Sequence, residues 1–185
     1  MTQLLIHLLS NFKTVRLGVK APRKLGLQED WAVVPGIATI ILGTIASIYD
    51  FTVLQSLSFQ WTPLTVTGAL LIVSALTLRT ISRAALNRAG FKQLGSTRLQ
   101  IVEGQRLITD GVYAYVRHPL YLGDLLRNYG IAMVTSSMYG LLFMLAANLL
   151  LMARIRIEEE MLLGAFGDEY RDYVKRTKRL IPFVY

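Results

Sequence analysis

Residues 31–49, WAVVPGIATIILGTIASIY, contain no charged side chain, and no other feature of the chain restricts its fold as much. A helix rises about 1.5 Å per residue, so crossing the roughly 30 Å hydrocarbon core of a bilayer takes about 20 apolar residues. This run has that length, lies between Glu29, Asp30 and Asp50, and carries Trp31 and Tyr49 at its ends, where interfacial aromatics gather. A second run, residues 62–78, follows Trp61 and stops at Arg79. A third and a fourth, roughly residues 120–135 and 138–153, are joined only by the few residues around TSSMYG, which predicts an antiparallel hairpin. The chain is 53% hydrophobic and 17% charged over 185 residues, too little polar surface to cover a soluble globule.

Ahead of these runs, TQLLIHLLSNFKTVRLGVK has apolar residues at helical spacing and basic residues toward its end, as in an interfacial helix or a fifth, short span. Its charges follow the apolar part and no small-residue cleavage site is evident, so it fits a signal peptide poorly. The absence of cysteine excludes disulfides, thiolate metal sites and cysteine nucleophiles.

The twenty lysines and arginines define an orientation. Five precede residue 31, seven lie from Arg79 to Arg117 and seven from Arg154 onward, which leaves Arg127 inside the third run. The loops around 50–61 and 135–138 carry none, so the basic loops and the C-terminus are expected in the cytoplasm. The pI near 9.9 is then a matter of topology, and the dispersion of the basic residues over juxtamembrane segments speaks against nucleic-acid binding.

The segment GVYAYVRHPLYLG, residues 111–123, stands at the mouth of the third run. Pro119 suits a first helical turn, whereas Arg117, His118 and the tyrosines admit two readings, headgroup anchors or site residues. Beyond the fourth run, RIRIEEEMLLGAFGDEYRDY places three glutamates next to hydrocarbon, where carboxylates are expensive. They are explained either by a cationic ligand or by pairing along the helix, Arg154 with Glu158 and Arg156 with Glu160. The hairpin returns both motifs to one membrane face, where an imidazole, tyrosines, a carboxylate and an arginine can share a pocket. Asp124, Arg127 and Asn128 in the third run are expected to face the bundle, as an ion pair or a substrate contact. Phe166, Gly167, Tyr170 and Tyr173 read as a helix break with packing aromatics, and Pro35 and Gly36 as a kink or packing point in the first run.

GVYAYVRHPLYLG followed by RIEEEMLLGAFGDEYRDYVKRTKRLIP resembles the isoprenylcysteine carboxyl methyltransferase family of integral membrane methyltransferases. The likeness covers roughly residues 100–185, and parts of it are shared with phospholipid N-methyltransferases, thiol methyltransferases and sterol reductases. It implies an all-α integral membrane protein of four to five transmembrane helices, with a cytoplasmic cofactor pocket formed by loops and helix ends. Residues 1–185 then make a single domain, with residues 1–99 supplying the first spans and 100–185 the catalytic portion.

The same resemblance implies S-adenosylmethionine as cofactor. It assigns cofactor binding to Gln105, Arg106, Leu107, Ile108, Tyr113, His118, Pro119, Leu120 and Tyr121, with Glu158 meeting the methionine ammonium and Glu159 beside it. Arg154 matches the residue that binds the acceptor carboxylate, and with His118 it is the catalytic candidate. S-Adenosylmethionine carries a sulfonium, an ammonium and a carboxylate, so its pocket needs an acid, donors and aromatic walls, and the motifs contain each. A carboxylate acceptor needs no general base; for an amine or thiol, His118 or a glutamate could serve. The implied partners are a lipophilic or prenylated acceptor and membrane lipid, with no nucleic acid and no metal. An NADPH-dependent reductase of the sterol type is the competing enzyme class. It would require several basic phosphate contacts, which two adjacent glutamates do not supply.

Overall fold

The computed structural model describes residues 23–24, 28–55, 59–88, 100–101 and 106–181. The N-terminal stretch expected as an interfacial helix or fifth span lies outside these residues, apart from the two-residue strand β1 (Arg23–Lys24), which pairs antiparallel with β2 (Gln100–Ile101). Helices account for nearly everything else: α1 (Val33–Tyr49), α2 (Pro63–Arg88), α3 (Pro119–Val134), α4 (Met138–Phe166) and α5 (Asp168–Arg176).

The distribution of side chains is the reverse of a water-soluble protein's. Buried positions on α1 and α2 include Gly43, Ser47, Thr65, Gly68, Ala75 and Ser82, while Ile41, Leu42, Ile45, Leu70, Val73 and Leu76 are exposed. Lipid is as apolar as leucine, so membrane helices associate through small residues and close packing and leave their large aliphatics to the bilayer. The protein is accordingly an integral membrane protein, with three helical stretches among the described residues long and apolar enough to cross: Val33–Leu54, Pro63–Arg88 and Met138–Phe166. The expected third span, α3, has 16 residues, or about 24 Å at 1.5 Å per residue. It sits between α2 and α4 and packs most extensively on α2. Gly68 and Gly130 form that crossing: a Cβ on either would lie 2.8 Å from the carbonyl oxygen of the other.

Two expectations change. Arg79 does not end the second span, because α2 continues through it to Arg88; its charge is met inside the bundle by Asp124 of α3. Pro35 does not kink the first span, because it falls in the first turn of α1, where no backbone hydrogen bond is lost. Gly36 does pack, facing Leu150 of α4.

The hairpin is as expected. At its turn Ser137 accepts a hydrogen bond from the Gly140 N–H at 2.8 Å, capping α4, and donates its hydroxyl to buried Asp50. Asp50 opens a five-residue π-helical turn, Asp50–Leu54, that extends α1, so this bond fastens the far end of α1 to the hairpin. At the opposite end Gly167, with φ +56°, terminates α4 and turns the chain into α5. Phe166, Tyr170 and Tyr173 then close a small core with Ile101 and Met161, the packing role read for these aromatics.

Candidate active site

The start of α3 and the end of α4 lie side by side on one membrane face, and a third segment crosses them. Val116 bridges in parallel to Lys178: the Arg117 N–H donates to the Lys178 carbonyl at 2.9 Å, and the Lys178 N–H to that of Tyr115 at 3.0 Å. The His118 N–H continues the pattern to the Arg179 carbonyl at 3.2 Å. Residues 177–181 thus strap the RHPLY segment down, anchored by Leu180, which is 1% exposed.

Under the strap the two neighbouring glutamates have different surroundings. Glu159 is saturated: Arg117 Nε reaches its Oε1 at 2.9 Å, Arg179 Nη2 its Oε2 at 2.7 Å, and His118 Nε2 lies 3.3 Å from Oε1. The Arg117 side chain is only 7% exposed and also donates to the Thr177 carbonyl at 2.7 Å, so it is a buried clamp and not the headgroup anchor that its position suggests. Glu158 points the other way. Its Oε2 is 3.6 Å from His118 Nδ1, beyond hydrogen-bond length, and this buried oxygen has no hydrogen-bond partner among the described residues. The Tyr121 ring lies 5.7 Å from that of His118.

Arg154 does not pair with Glu158 along the helix, nor is Arg156 with Glu160 among the ion pairs. Arg154 Nη2 instead meets Asp30 Oδ2 at 3.2 Å, across from the residues preceding α1, and its guanidinium carbon lies 6.0 Å from the Tyr121 ring centroid. Asp30, 1% exposed, is therefore part of the site's frame, although in the sequence it only marks the edge of an apolar run.

Tyr113 is buried, and its carbonyl accepts the Tyr173 hydroxyl at 2.7 Å. Burial, and next the charge of Glu158, push its phenol well above the usual tyrosine range; burial does the same for Tyr173, and both rings stay neutral at any physiological pH.

Of the residues singled out from the sequence, Tyr113, His118, Pro119, Tyr121, Arg154, Glu158 and Glu159 thus come together. Leu120 is half-buried beside them on α3, and Leu107 packs on the small core under the site. Ile108 is half-buried, Arg106 is exposed on the approaching loop, and Gln105 lies outside the described residues. Arg179 and Asp30 were not among the expected site residues, and Arg117 was weighed there without an assigned role. Asp30 and Arg179 carry no local signal.

A buried carboxylate oxygen lacking a partner, walled by neutral phenols and an imidazole, is suited to an organic cation. Known methyltransferases resemble the chain. The chain is 36% identical over 105 residues to protein-S-isoprenylcysteine O-methyltransferase of Schizosaccharomyces pombe, covering 54% of this chain and 44% of that one. It is 37% identical over 78 residues to methanethiol S-methyltransferase 1 of Bradyrhizobium diazoefficiens, covering 42% of this chain and 27% of the relative. The solved structure of the eukaryotic intramembrane Ras methyltransferase isoprenylcysteine carboxyl methyltransferase matches with a TM-score of 0.59 and 26% identity, over 85% of this chain and 53% of that chain. The chain thus spans about half the length, or less, of the relatives it matches. The family model described as phospholipid methyltransferase matches residues 64–169, more than half the chain and nearly all of α2 to α4 with the loops between them, and the chain belongs to that family.

Proposed function

We propose that this protein is a membrane methyltransferase that moves a methyl group from S-adenosylmethionine to the carboxyl group of a lipophilic acceptor, such as a prenylcysteine. The observation that carries the reading is the orphaned Glu158 Oε2, held beside His118, Tyr113 and Tyr121. A carboxylate oxygen held out of water on a partly open side chain is complemented by a cation, in this reading the ammonium of the cofactor. Glu159 keeps the end of α4 in place through Arg117 and Arg179. Tyr113, Tyr121, Leu107 and Ile108 would wall the cofactor, while Gln105, Arg106, Pro119 and Leu120 complete the assignment that the family likeness suggests.

S-Adenosylmethionine supplies an electrophilic methyl group on a sulfonium. The chain's task is to align an acceptor with it and to exclude water, because attraction between nucleophile and sulfonium falls as charge is neutralised. Arg154, oriented by Asp30 and set close to Tyr121, is the cation placed to hold an acceptor carboxylate. A thiol or amine acceptor is the second reading, supported by the likeness to a methanethiol S-methyltransferase and by His118, an imidazole between two carboxylates that could take up a proton. Both readings put the site on the cytoplasmic face, which the distribution of basic residues supports.

Equilibrium binding to the detergent-purified protein tests the proposal. S-Adenosylmethionine is expected to bind and NADPH not, and labelled methyl should pass to a farnesylcysteine analogue. Binding of NADPH alone would identify a reductase, and transfer to thiols or amines but not carboxylates would favour the second reading.

A further inference from the structure

One polar cluster belongs neither to the methyl-transfer site nor to the helix ends. Asp124 of α3 receives two guanidinium groups on the same oxygen, Oδ1: Arg79 Nη1 from α2 and Arg127 Nη1, at 3.0 Å, from α3. Arg127 is held further by Asn128, whose Oδ1 accepts from its Nη2 at 3.0 Å and its Nε at 3.3 Å. Among the described residues no second carboxylate pairs with either arginine, so the trio carries one net positive charge.

A single Arg79–Asp124 pair would be enough to join α2 to α3. The second arginine adds a charge that no carboxylate among the described residues compensates. The cluster is nevertheless built and only partly covered: a Cβ on Gly123 would lie 2.6 Å from Arg79 Cγ, so that glycine makes room for the arginine stem, and the three side chains remain 21 to 30% exposed.

Depth indicates the occupant. Along α2, Arg79 stands seventeen residues after Thr62, roughly 26 Å at 1.5 Å per residue, while Trp61 and Phe59 mark the opposite interface. A hydrocarbon core of about 30 Å then ends just beyond Arg79, at the level where the adjacent leaflet carries its phosphates. α1 and α2 pack on α4 and α3 respectively and not extensively on each other, so among the described helices α3 is only partly enclosed from that side.

We propose that Arg79, Asp124 and Arg127 form a binding site for the phosphate of a membrane phospholipid, with Asp124 holding the two guanidinium groups in one orientation and the second arginine supplying the charge that the phosphate neutralises. The ligand is a phosphodiester anion presented by the bilayer, and the site does not depend on which acceptor is methylated.

Native mass spectrometry of the full-length, delipidated protein titrated with phosphatidylglycerol or with phosphate-free diacylglycerol tests this. Phosphatidylglycerol should be retained and diacylglycerol not. Arg127→Gln, which leaves a neutral Arg79–Asp124 pair, should weaken phosphatidylglycerol binding roughly tenfold, the loss expected for one charge-assisted contact. Asp124→Asn, which raises the net charge, should preserve or strengthen lipid binding even while it lowers thermal stability. A purely structural ion pair predicts the reverse: no change in lipid binding for Arg127→Gln and loss of binding only in step with stability for Asp124→Asn. Equal retention of diacylglycerol would overturn the proposal. So would displacement of the lipid by millimolar inorganic phosphate, which would show a soluble-anion site instead.

Discussion

Glu158 and Glu159 are chemically identical neighbours on α4, and the structure predicts opposite consequences for the same substitution at each. In Glu159→Gln the amide cannot neutralise Arg117, whose side chain is 7% exposed, nor Arg179 at 2.7 Å. Removing one partner from a buried, hydrogen-bonded ion pair costs about 3 to 5 kcal/mol, because the remaining charge stays buried. For a chain of this size each kcal/mol moves the midpoint by about 2 to 4 °C, so Tm should fall by about 10 °C. Glu158→Gln removes a charge whose Oε2 has no hydrogen-bond partner, so the apo protein should unfold within a few degrees of the wild type. Its effect should appear on ligand addition: loss of one charge-assisted contact is worth about 1.5 to 3 kcal/mol, or roughly tenfold or more in S-adenosylmethionine affinity. The assay is thermal unfolding of each detergent-purified variant, alone and across a titration of S-adenosylmethionine. If Glu158→Gln lowered the apo midpoint as far as Glu159→Gln and left ligand affinity unchanged, the division of labour between the two carboxylates would be refuted.

Gly130→Leu forces a side chain into the crossing with Gly68 and should destabilise by about 1 to 3 kcal/mol or prevent assembly. Gly164→Ala, with nothing within 4 Å, should be neutral or gain about 0.5 to 1 kcal/mol of helix propensity, and denaturation of both separates a packing effect from a general dislike of substitution in these helices. Arg154→Lys keeps the charge but loses the planar donor pair, so kcat/KM for a carboxylate acceptor should fall by about tenfold or more while S-adenosylmethionine affinity holds; equal loss of both would show that Arg154 serves the cofactor pocket. Accessibility labels at position 55 and at the C-terminus should report opposite sides of the membrane, the C-terminus in the cytoplasm, and labelling from one side only would contradict the orientation.

What could be read from the sequence was whatever depends on local pattern. The apolar runs marked α1, the start of α2 and the α3–α4 hairpin, because a bilayer imposes length and apolarity on each span separately. Pro119 announced the start of α3, and Gly167 with its aromatics announced the break before α5. Interactions between distant segments were not legible. Arg79 reads as the end of a span until Asp124, 45 residues away, is found to receive it. Arg154 and Glu158 have ideal spacing for a helical pair, yet the buried carboxylate of Asp30 takes the arginine, since a desolvated charge requires a partner more strongly than an accessible one does. The motif glutamates drew notice as a pair, and nothing in EEE distinguishes the one that is clamped from the one that is open. That difference rests on Arg117 and Arg179, which approach from two sides.

The strap at residues 177–181 also sets an order of events during folding. α3 and α4 can enter the bilayer as a hairpin before residues 177–181 fold back across them, and through that interval Glu159 lacks Arg179 and the RHPLY segment lacks its bridge. The helices of the site can therefore form before the site does, and the strap converts a membrane-inserted hairpin into a shaped pocket. A released chain truncated after Arg176 should be integrated in the membrane yet open to proteases at the end of α4.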